Sequence, residues 1–291
     1  MRKLALSDEI LLKVDKAARY IGGEVNSVMK DKNAVDIRFA MCFPDVYEIG
    51  MSNLGMMILY NMFNQREDVW CERLFSPWPD LDKVMREKKI PLFALESQEP
   101  IRDFDFLGIT IGYEMCYTNI LQVLDLSGIP LKSADRGEDF PIVIGGGACA
   151  YNPEPLAPFF DMFYIGEGET VYDALFDAYK ANKKAGGSRR DFLLAAAKIP
   201  GIYVPSLYEV TYKEDGTIAS FAPTADGVPE KVQKQLIIDM EKEYRAVEAP
   251  VVPHIKATQD RVTLEIQRGC IRGCRFCQAG MIYRPTRERD V

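Results

Sequence analysis

The sequence has no apolar run of the length that crosses a membrane, which is about 18 uninterrupted residues. Its one signal-like segment carries charges within the apolar run, as in MRKLALSDEILLKV, so we expect no secretory signal. It also has no excess of positive charge, because 43 acidic residues outnumber 36 basic ones for a formal charge of −7. A broad, positively charged surface that binds nucleic acid is therefore not expected. We predict a cytoplasmic protein with no membrane partner and no broad nucleic-acid surface, and a local basic patch stays open as an alternative.

Histidine is scarce as well, since His254 is the one histidine in 291 residues. It lies in a connector that contains several prolines, where a surface position is expected. The remaining composition, 47% hydrophobic and 27% charged, is ordinary for a globular protein. It excludes a disordered chain, a collagen-like repeat and a small disulfide scaffold, and the length suffices for about two domains.

Short apolar runs alternate with helix-like stretches between residues 35 and 169, which favours parallel strands joined by crossover helices. The predicted strands are Asp36–Phe43, Val69–Leu74, Phe106–Ile111, Ile142–Ile144 and Met162–Ile165, with Leu92–Leu95 as a weaker sixth. The predicted helices are Ser7–Tyr20, Asn53–Phe63, Asp80–Lys88, Tyr117–Leu126 and Thr170–Lys180. The predicted fold class is therefore α/β, with a doubly wound, Rossmann-like parallel sheet.

Ligands bind such sheets beyond the carboxyl ends of the strands, so the loops that follow strands are the candidate binding segments. Three of these loops are distinctive. They are Phe43–Gly55, Gly145–Pro155 and Gly166–Thr170. The glycines of the second loop either let the backbone approach a ligand or make a turn required by packing. Glu167 and Glu169 in the third have a simpler explanation, because a helix dipole favours carboxylates at the helix start.

The pattern changes after residue 181. A short helix is predicted at Phe192–Lys198, and an Asp-Gly turn predicts a hairpin between Tyr203–Lys213 and Ile218–Pro223. Residues 224–260 are interpreted as a connector with one helical piece. Val262–Ile266 then alternates as a strand should and leads directly into a cluster of cysteines.

Four of the seven cysteines stand singly in apolar surroundings, where a free cysteine usually behaves as a small buried hydrophobe. They are Cys42, Cys71, Cys116 and Cys149. Cys270, Cys274 and Cys277 instead crowd onto one glycine-containing loop, and such soft thiolates suit zinc or an iron–sulfur cluster. Zinc would need a distant fourth ligand, whereas three thiolates leave one iron of a four-iron cluster open to another ligand.

The spacing C-x3-C-x2-C, with Phe276 just before the last cysteine, resembles the signature of radical S-adenosylmethionine (radical SAM) enzymes. The resemblance implies that Cys270, Cys274 and Cys277 each hold one iron of a 4Fe-4S cluster and that S-adenosylmethionine chelates the open iron, with Phe276 beside the cofactor. One electron would then cleave the sulfonium and release a 5′-deoxyadenosyl radical. It also implies a substrate, which is unknown, and an electron donor such as flavodoxin or ferredoxin.

The stretch before the cysteines resembles the N-terminal, cobalamin-binding-like part of an uncharacterised bacterial subgroup of radical SAM proteins. The pieces that carry the resemblance are Tyr47–Gly55, Gly145–Gly147, Asn152–Pro155, Gly166–Glu169 and Gln278–Met281. The resemblance implies that a cofactor contacts a small set of residues. These are Tyr47, Ser52, Gly145, Gly146 and Gly147.

One departure from the cobalamin pattern matters. Methionine-synthase-like cobalamin domains supply a cobalt-binding histidine from an Asp-x-His-x-x-Gly loop, and here Tyr47 stands in the histidine position. Histidine ligation of cobalt at this loop is therefore excluded. Cobalamin can still bind with Tyr47 or water below the corrin, and a domain that has lost the cofactor fits as well.

These interpretations divide the chain into four parts. They are a helical extension (1–34), a cobalamin-binding-like Rossmann domain (35–182), a hairpin and connector (183–260), and the start of a truncated radical SAM βα barrel (261–291). Fourteen residues follow Cys277, so we expect the chain to be a fragment or a separately encoded first half that stops within the first unit of the barrel, has the remainder of the barrel as a partner and is inactive alone. The unpaired barrel strand predicts poor packing of the last thirty residues.

Three hypotheses about function follow. The chain is the N-terminal portion of a radical SAM iron–sulfur enzyme, or a module that binds cobalamin or a nucleotide and presents it to a catalytic partner. Alternatively, the α/β domain serves only to dock against the barrel or another subunit.

Overall fold

A computed structural model describes residues 3–290. Its centre is a six-stranded sheet in the order β2-β1-β3-β4-β5-β6, in which β1 to β5 are parallel and β6 is antiparallel to β5. These strands are β1 (Ile37–Phe43), β2 (Val69–Phe75), β3 (Phe106–Thr110), β4 (Ile142–Gly146), β5 (Met162–Tyr164) and β6 (Ile202–Tyr203). The predicted α/β class with a mostly parallel sheet is therefore confirmed.

Nine α-helices are present in the described residues, five of which have eight residues or more. They are α1 (Asp8–Leu11), α2 (Tyr47–Gly50), α3 (Leu54–Gln65), α4 (Pro79–Lys88), α5 (Tyr117–Leu126), α6 (Tyr172–Ala185), α7 (Arg189–Ala196), α8 (Met240–Glu243) and α9 (Ala279–Ile282). Helices α3, α6 and α7 pack on one face of the sheet, and α4 and α5 pack on the other. No helix within residues 3–290 is long and apolar enough to span a membrane.

The sequence of β1 explains why it lies at the centre of the sheet. All seven of its residues are buried, as expected for a parallel strand covered on both faces. Phe39 and Met41 face α3 and α6, whereas Ala40 and Cys42 face α4 and α5. The sheet reverses its direction of growth between β1 and β3, and such a reversal opens a crevice at the carboxyl ends of the strands.

The N-terminal helix predicted over Ser7–Tyr20 is wrong in extent. Helix α1 has four residues, and Lys16 adopts a left-handed conformation (φ 50°) before one 3-10 turn at Ala17–Arg19. The reason is tertiary, because the Asp15 N–H donates to the Asp80 carboxylate at 2.6 Å instead of continuing the helical ladder. In the resulting conformation the Lys16 and Arg19 side chains both bind the Glu48 carboxylate of α2.

Two other predicted strands are absent from the described residues. Leu92–Leu95 makes one isolated bridge, between Phe93 and Pro100. In Val262–Ile266 the Ile266 carbonyl accepts the Arg289 N–H at 3.0 Å, but no described strand includes this segment, and its three apolar side chains are exposed. A strand needs a neighbour along its length to satisfy its backbone groups, and one backbone hydrogen bond at its end does not supply that.

The hairpin is present, and so is a short pair of strands around the cysteine loop. The hairpin pairs β7 (Tyr208–Tyr212) with β8 (Ile218–Pro223), while Ile202–Tyr203 joins the main sheet. Around the cysteine loop, β9 (Gln267–Arg268) pairs with β10 (Arg287–Glu288). The segment that carries the cysteines thus closes on itself just outside the main sheet.

Acid is expected to loosen the N-terminal segment through Glu48. Burial alone would raise its pKa, but hydrogen bonds from Arg19 and Lys16 outweigh burial and lower the pKa to about 2. A carboxylate with a lowered pKa stabilises the fold above its unfolded-state pKa, and that stability is lost as the pH falls toward 2. We expect Glu48→Gln to cost about 2 kcal/mol at neutral pH and to flatten the acid limb of the stability curve.

Urea unfolding as a function of pH measures this effect. The control is Glu9→Gln, which removes an exposed carboxylate from its pair with Lys13 and should change nothing measurable. Equal acid limbs in Glu48→Gln and the unmodified protein would show that Glu48 does not anchor the segment.

Candidate functional site

A cavity of about 560 Å³ lies on the α3 and α6 side of the sheet, at the carboxyl ends of β3, β4 and β5. Its floor is apolar and includes Phe39, Met41 and Ile144, and Ile58 and Leu59 of α3 form a wall. The volume lies within the usual range for small-molecule sites, about 300–1,000 Å³. All three loops singled out from the sequence contribute residues to this cavity.

The three predicted glycines do not play one role. Gly146 and Gly147 line the cavity, but Gly145 does not. A Cβ at Gly145 would lie 2.8 Å from both Ile111 and Phe163, so packing explains that glycine. Gly147 has φ +104°, and a Cβ there would lie 2.9 Å from a backbone oxygen. At Gly146 nothing lies within 4 Å of a Cβ, so this position opens onto free space.

The mouth of the cavity is lined by the segment that carries the cysteines. Glu265, Gln267, Arg268, Gly269 and Tyr283 all contribute to it. Gly269 immediately precedes the first cysteine of the loop. The structure therefore brings the cysteine loop to the opening of the α/β cavity.

Two arginines fasten this segment to the loop that follows β5. Arg287 forms a bidentate pair with Glu167, with distances of 2.7 Å from Nη2 to Oε1 and 2.8 Å from Nη1 to Oε2. Arg268 donates to Glu167 (3.2 Å) and to Glu169 (2.6 Å), and it also binds Glu265 of its own segment. Bidentate arginine–carboxylate pairs are among the strongest and most directional contacts in proteins.

Glu167 is ionised at neutral pH in this setting. Burial raises the pKa of Glu167, but hydrogen bonds from Arg287 and from the Ile237 amide, together with the charge of Arg268, lower it overall. The Ile237 N–H donates to Oε2 at 2.9 Å. One carboxylate thus receives donors from the connector and from both arms of the cysteine loop.

The helix-start explanation of Glu167 and Glu169 does not describe where these carboxylates lie. Helix α6 begins only at Tyr172, after a 3-10 turn over Gly168–Thr170. Both carboxylates instead bind arginines about a hundred residues away in sequence. Residues 268–291 contain six arginines and two acidic residues, and this excess of positive charge is the sequence signal that carboxylates elsewhere in the chain bind this segment.

The three clustered thiols are free, and Cys274 is exposed whereas Cys270 and Cys277 are half-buried. Within residues 3–290 no three cysteine, histidine or carboxylate side chains are gathered closely enough to hold a metal ion. Two sulfurs accept backbone N–H groups at 3.4 Å, from Arg272 to Cys270 and from Gly280 to Cys277. Three soft donors on one loop, with backbone amides aimed at sulfur, fit an iron–sulfur cluster by their chemistry.

The other predicted cofactor contacts lie elsewhere. Tyr47 is 1% exposed, packs on Phe75 and donates its hydroxyl to Glu24 at 2.9 Å, so it does not line the cavity. The Ser52 hydroxyl donates to the Glu48 carbonyl and accepts the Gln259 amide. Asn53 caps α3 and also lines the cavity.

Two further side chains singled out from the sequence, one phenyl ring and one imidazole, face solvent. Phe276 is 92% exposed. The His254 ring lies 3.2 Å from the Gly22 carbonyl, in an exposed position away from the cysteines. The four single cysteines are buried, as the sequence predicts.

Comparison with known proteins gives three findings. Residues 55–205 match the family described as radical SAM proteins, N-terminal. The chain is 26% identical over 253 residues to an uncharacterised protein of Methanocaldococcus jannaschii, covering 87% of this chain and 43% of that protein. It is similar in structure to the radical S-adenosylmethionine methyltransferase TsrM of Kitasatospora setae, whose structure holds tryptophan and a SAM analogue, with 16% identity and a TM-score of 0.40. That similarity covers 87% of this chain and 43% of TsrM.

The structure and the sequence together define the class of protein, an α/β domain with a three-cysteine loop at the mouth of its cavity. The family match covers half of the chain and shows which family it is: the chain belongs to the radical SAM proteins and contains their N-terminal region. It spans less than half the length of the two proteins to which it is compared.

Proposed function

We propose that the chain is the N-terminal part of a radical SAM enzyme that cleaves S-adenosylmethionine reductively. The observation that carries the proposal is the loop with three free thiols, whose preceding residues Gln267, Arg268 and Gly269 line the α/β cavity. The family to which the chain belongs supports it. The substrate is not identified by this argument, and a one-electron donor of the flavodoxin or ferredoxin kind is part of the proposal.

Cys270, Cys274 and Cys277 would hold the 4Fe-4S cluster. When bound, such a cluster supplies the electron that breaks the sulfonium of S-adenosylmethionine, and these cofactors carry the difficult chemistry. The protein holds the loop in place. Gly269, with φ +86°, permits the close approach of the loop to the Tyr283 and Pro285 carbonyls, which lie within 2.7 Å of the position a Cβ would take.

The charges around the loop suit a negatively charged group. Arg272 and Arg275 are exposed beside the cysteines and place positive charge there. Three thiolates and a cluster carry negative charge, which these arginines offset. Arg268 and Arg287 do not serve this purpose, because carboxylates already pair with both.

A second candidate function is binding of cobalamin or a nucleotide in the cavity. The observation that favours it is the cavity itself, which lies where such sheets bind ligands and into which Gly146 opens. Cobalamin bound there would receive no ligand from Tyr47, whose hydroxyl is engaged by Glu24 in the core. In this proposal the α/β domain presents a bound ligand to the cysteine loop.

Anaerobic reconstitution with iron and sulfide tests the first function. We expect the chain to take up about four irons and a broad visible absorbance, because one 4Fe-4S cluster contains four. Replacement of Cys274 by alanine should remove most of both. The control is Cys149→Ala, which removes a buried thiol outside the loop.

The outcomes separate clearly. Equal iron uptake by Cys274→Ala and the unmodified chain would contradict the assignment of the ligands. Formation of 5′-deoxyadenosine from S-adenosylmethionine with dithionite, in the protein with its complete catalytic domain, would establish the reaction. A loaded cluster that never yields this product would contradict the proposed cleavage.

A further inference from the structure

We propose that Glu167 is the positioning residue that holds the cysteine loop across the mouth of the α/β cavity. The inference that this loop carries a cluster rests on the proposed function, whereas the attachment itself does not. Glu167 follows β5, so its carboxylate belongs to the rigid sheet domain, and its donors come from the segment outside the sheet.

The segment has little apolar packing to hold it. From residue 262 to residue 290 only Gly280, Ile282 and Arg287 are buried. The apolar side chains Val262 and Leu264 are 84% and 80% exposed. Because so little apolar surface is removed from water, directional polar contacts must supply the attachment.

The polar contacts converge on one carboxylate. Arg268 lies two residues before the first cysteine and Arg287 lies ten residues after the last, so Glu167 ties both arms of the loop. Both arginines also line up β9 with β10, since Arg268 and Arg287 are direct partners in that ladder. One carboxylate therefore fixes the base from which the cysteine loop projects.

The backbone of Glu167 is fixed as well. Its N–H donates to the Gln235 carbonyl, and Gly166 forms a parallel bridge with Gln235. Gly166 has φ +140°, and a Cβ there would lie 2.3 Å from the Gln235 oxygen. The carboxylate is thus presented from a backbone that cannot shift without breaking the connector contact.

Other contacts to the segment are fewer or more exposed. Lys234 donates to the carbonyls of Ile282 and Arg284, and Arg289 stacks on Tyr244. Lys234 engages only the second arm of the loop, whereas the Tyr244 ring also lies against Arg268 of the first arm, at 5.8 Å. Glu167 differs because its carboxylate accepts charge-assisted hydrogen bonds from both arms and because it also lines the cavity.

Glu167 therefore lines the cavity and also binds the two short strands from which the cysteine loop projects. A group held by the cysteines would face the cavity only while this attachment persists. The positioning role predicts that neutralising Glu167 releases residues 265–288 without unfolding the sheet.

Hydrogen–deuterium exchange of the whole chain tests this role without any cofactor. We expect Glu167→Gln to speed exchange in peptides covering 265–288 by at least about tenfold, with peptides from β1 to β4 unchanged. Arg287→Met removes the bidentate partner of Glu167 and should also speed exchange in peptides covering 265–288. The double variant should exchange faster than Arg287→Met alone, but by less than the two single effects combined, because in that background Glu167→Gln removes only the remaining contact with Arg268.

The matched control is Asp161→Asn. Asp161 is a buried carboxylate whose two arginine partners, Arg136 and Arg189, both lie outside the cysteine segment. We expect Asp161→Asn to speed exchange in the sheet domain. It should not speed exchange of residues 265–288 by more than it does in the sheet. Unchanged exchange of 265–288 in Glu167→Gln, or exchange that rises equally throughout the chain, would overturn the proposal.

A spectroscopic arm connects the attachment to the proposed function. In reconstituted protein, Glu167→Gln should bleach under a chelator at least about tenfold faster than the unmodified chain, because a released loop exposes the bound group more often. Equal bleaching rates, with 265–288 released, would overturn a role in holding the cluster. Failure of the unmodified chain to take up iron would contradict the proposed function alone, because the exchange measurement would still decide the attachment.

Discussion

Replacing Arg73 with methionine is expected to lower the free energy of unfolding by about 4 kcal/mol, because it leaves carboxylates in the interior without their cation. The Arg73 side chain is 3% exposed and lies between Glu24 and Glu96, with distances of 2.8 Å and 2.6 Å. Both carboxylate side chains are fully buried. Methionine is similar in length but supplies neither the charge nor the donors.

The loss of unfolding free energy caused by Arg73→Met should depend on pH. Burial raises the pKa of Glu24, but Arg73 outweighs burial and holds that pKa below its ordinary value in the unmodified protein. Without Arg73, burial dominates and the pKa of Glu24 in the folded protein rises above its unfolded-state value. A group with a raised pKa binds more protons when folded, so its stabilising contribution is lost as the pH rises. The deficit of Arg73→Met should therefore be smaller at about pH 5 than at about pH 8.

Urea unfolding at the two pH values measures both effects. The control is Arg86→Met, which removes an exposed guanidinium from Asp82 and Asp125 and should cost less than about 1 kcal/mol because solvent screens the pair. Adding Glu24→Gln to Arg73→Met should recover part of the loss. A cost near that of Arg86→Met would contradict the view that the buried cluster is held together by Arg73.

The sheet was predictable because its signals are local. Five short apolar runs, each bounded by turn residues, became the five parallel strands, with ends within two residues of those predicted. A strand buried on both faces is mostly apolar, so it is recognisable in the sequence as a short, nearly continuous apolar run. The helices between the strands were predictable as well. Each packs one face on the sheet, so its apolar residues recur every three or four positions.

Elements that depend on a distant partner were not predictable in this way. The start of the chain has helical spacing from Ile10 onward, but the Asp15 N–H bonds the distant Asp80 carboxylate and the helix ends before it. Val262–Ile266 alternates as a strand does, yet no sheet of the described residues includes it, and the backbone bond from Arg289 reaches only its last residue. Local preference sets what a segment can form, and tertiary partners decide whether it does so.

The candidate site divides along the same line. The cysteine spacing and the loops around the cavity are visible in sequence because each lies within ten or so residues. The attachment of Glu167 to Arg287 spans 120 residues, and no spacing rule connects such positions. Tyr47 shows the opposite error, since its place in a loop pattern suggested a cofactor contact but its ring lies in the core beside Phe75.

Replacing Gly146 with leucine is expected to weaken ligand binding in the cavity by about 100-fold, since forcing extra carbon atoms into an occupied site costs up to about 3 kcal/mol. Gly146 ends β4 at the cavity, and nothing lies within 4 Å of the position its Cβ would take. The leucine side chain therefore enters space that a ligand would use and displaces no protein atom at its Cβ. We expect the variant to fold with nearly unchanged stability.

Titration calorimetry with hydroxocobalamin and, separately, with an adenine nucleotide measures the effect. Gly137→Leu is the matched control, because a Cβ at Gly137 also meets nothing within 4 Å but this residue does not line the cavity. Binding that survives Gly146→Leu would place the ligand outside the cavity. If the unmodified chain binds neither probe, the second proposed function is wrong for both ligands. A loss of binding confined to Gly146→Leu, with 265–288 still protected from exchange, would show that the cavity binds the ligand itself and that the attachment by Glu167 acts separately.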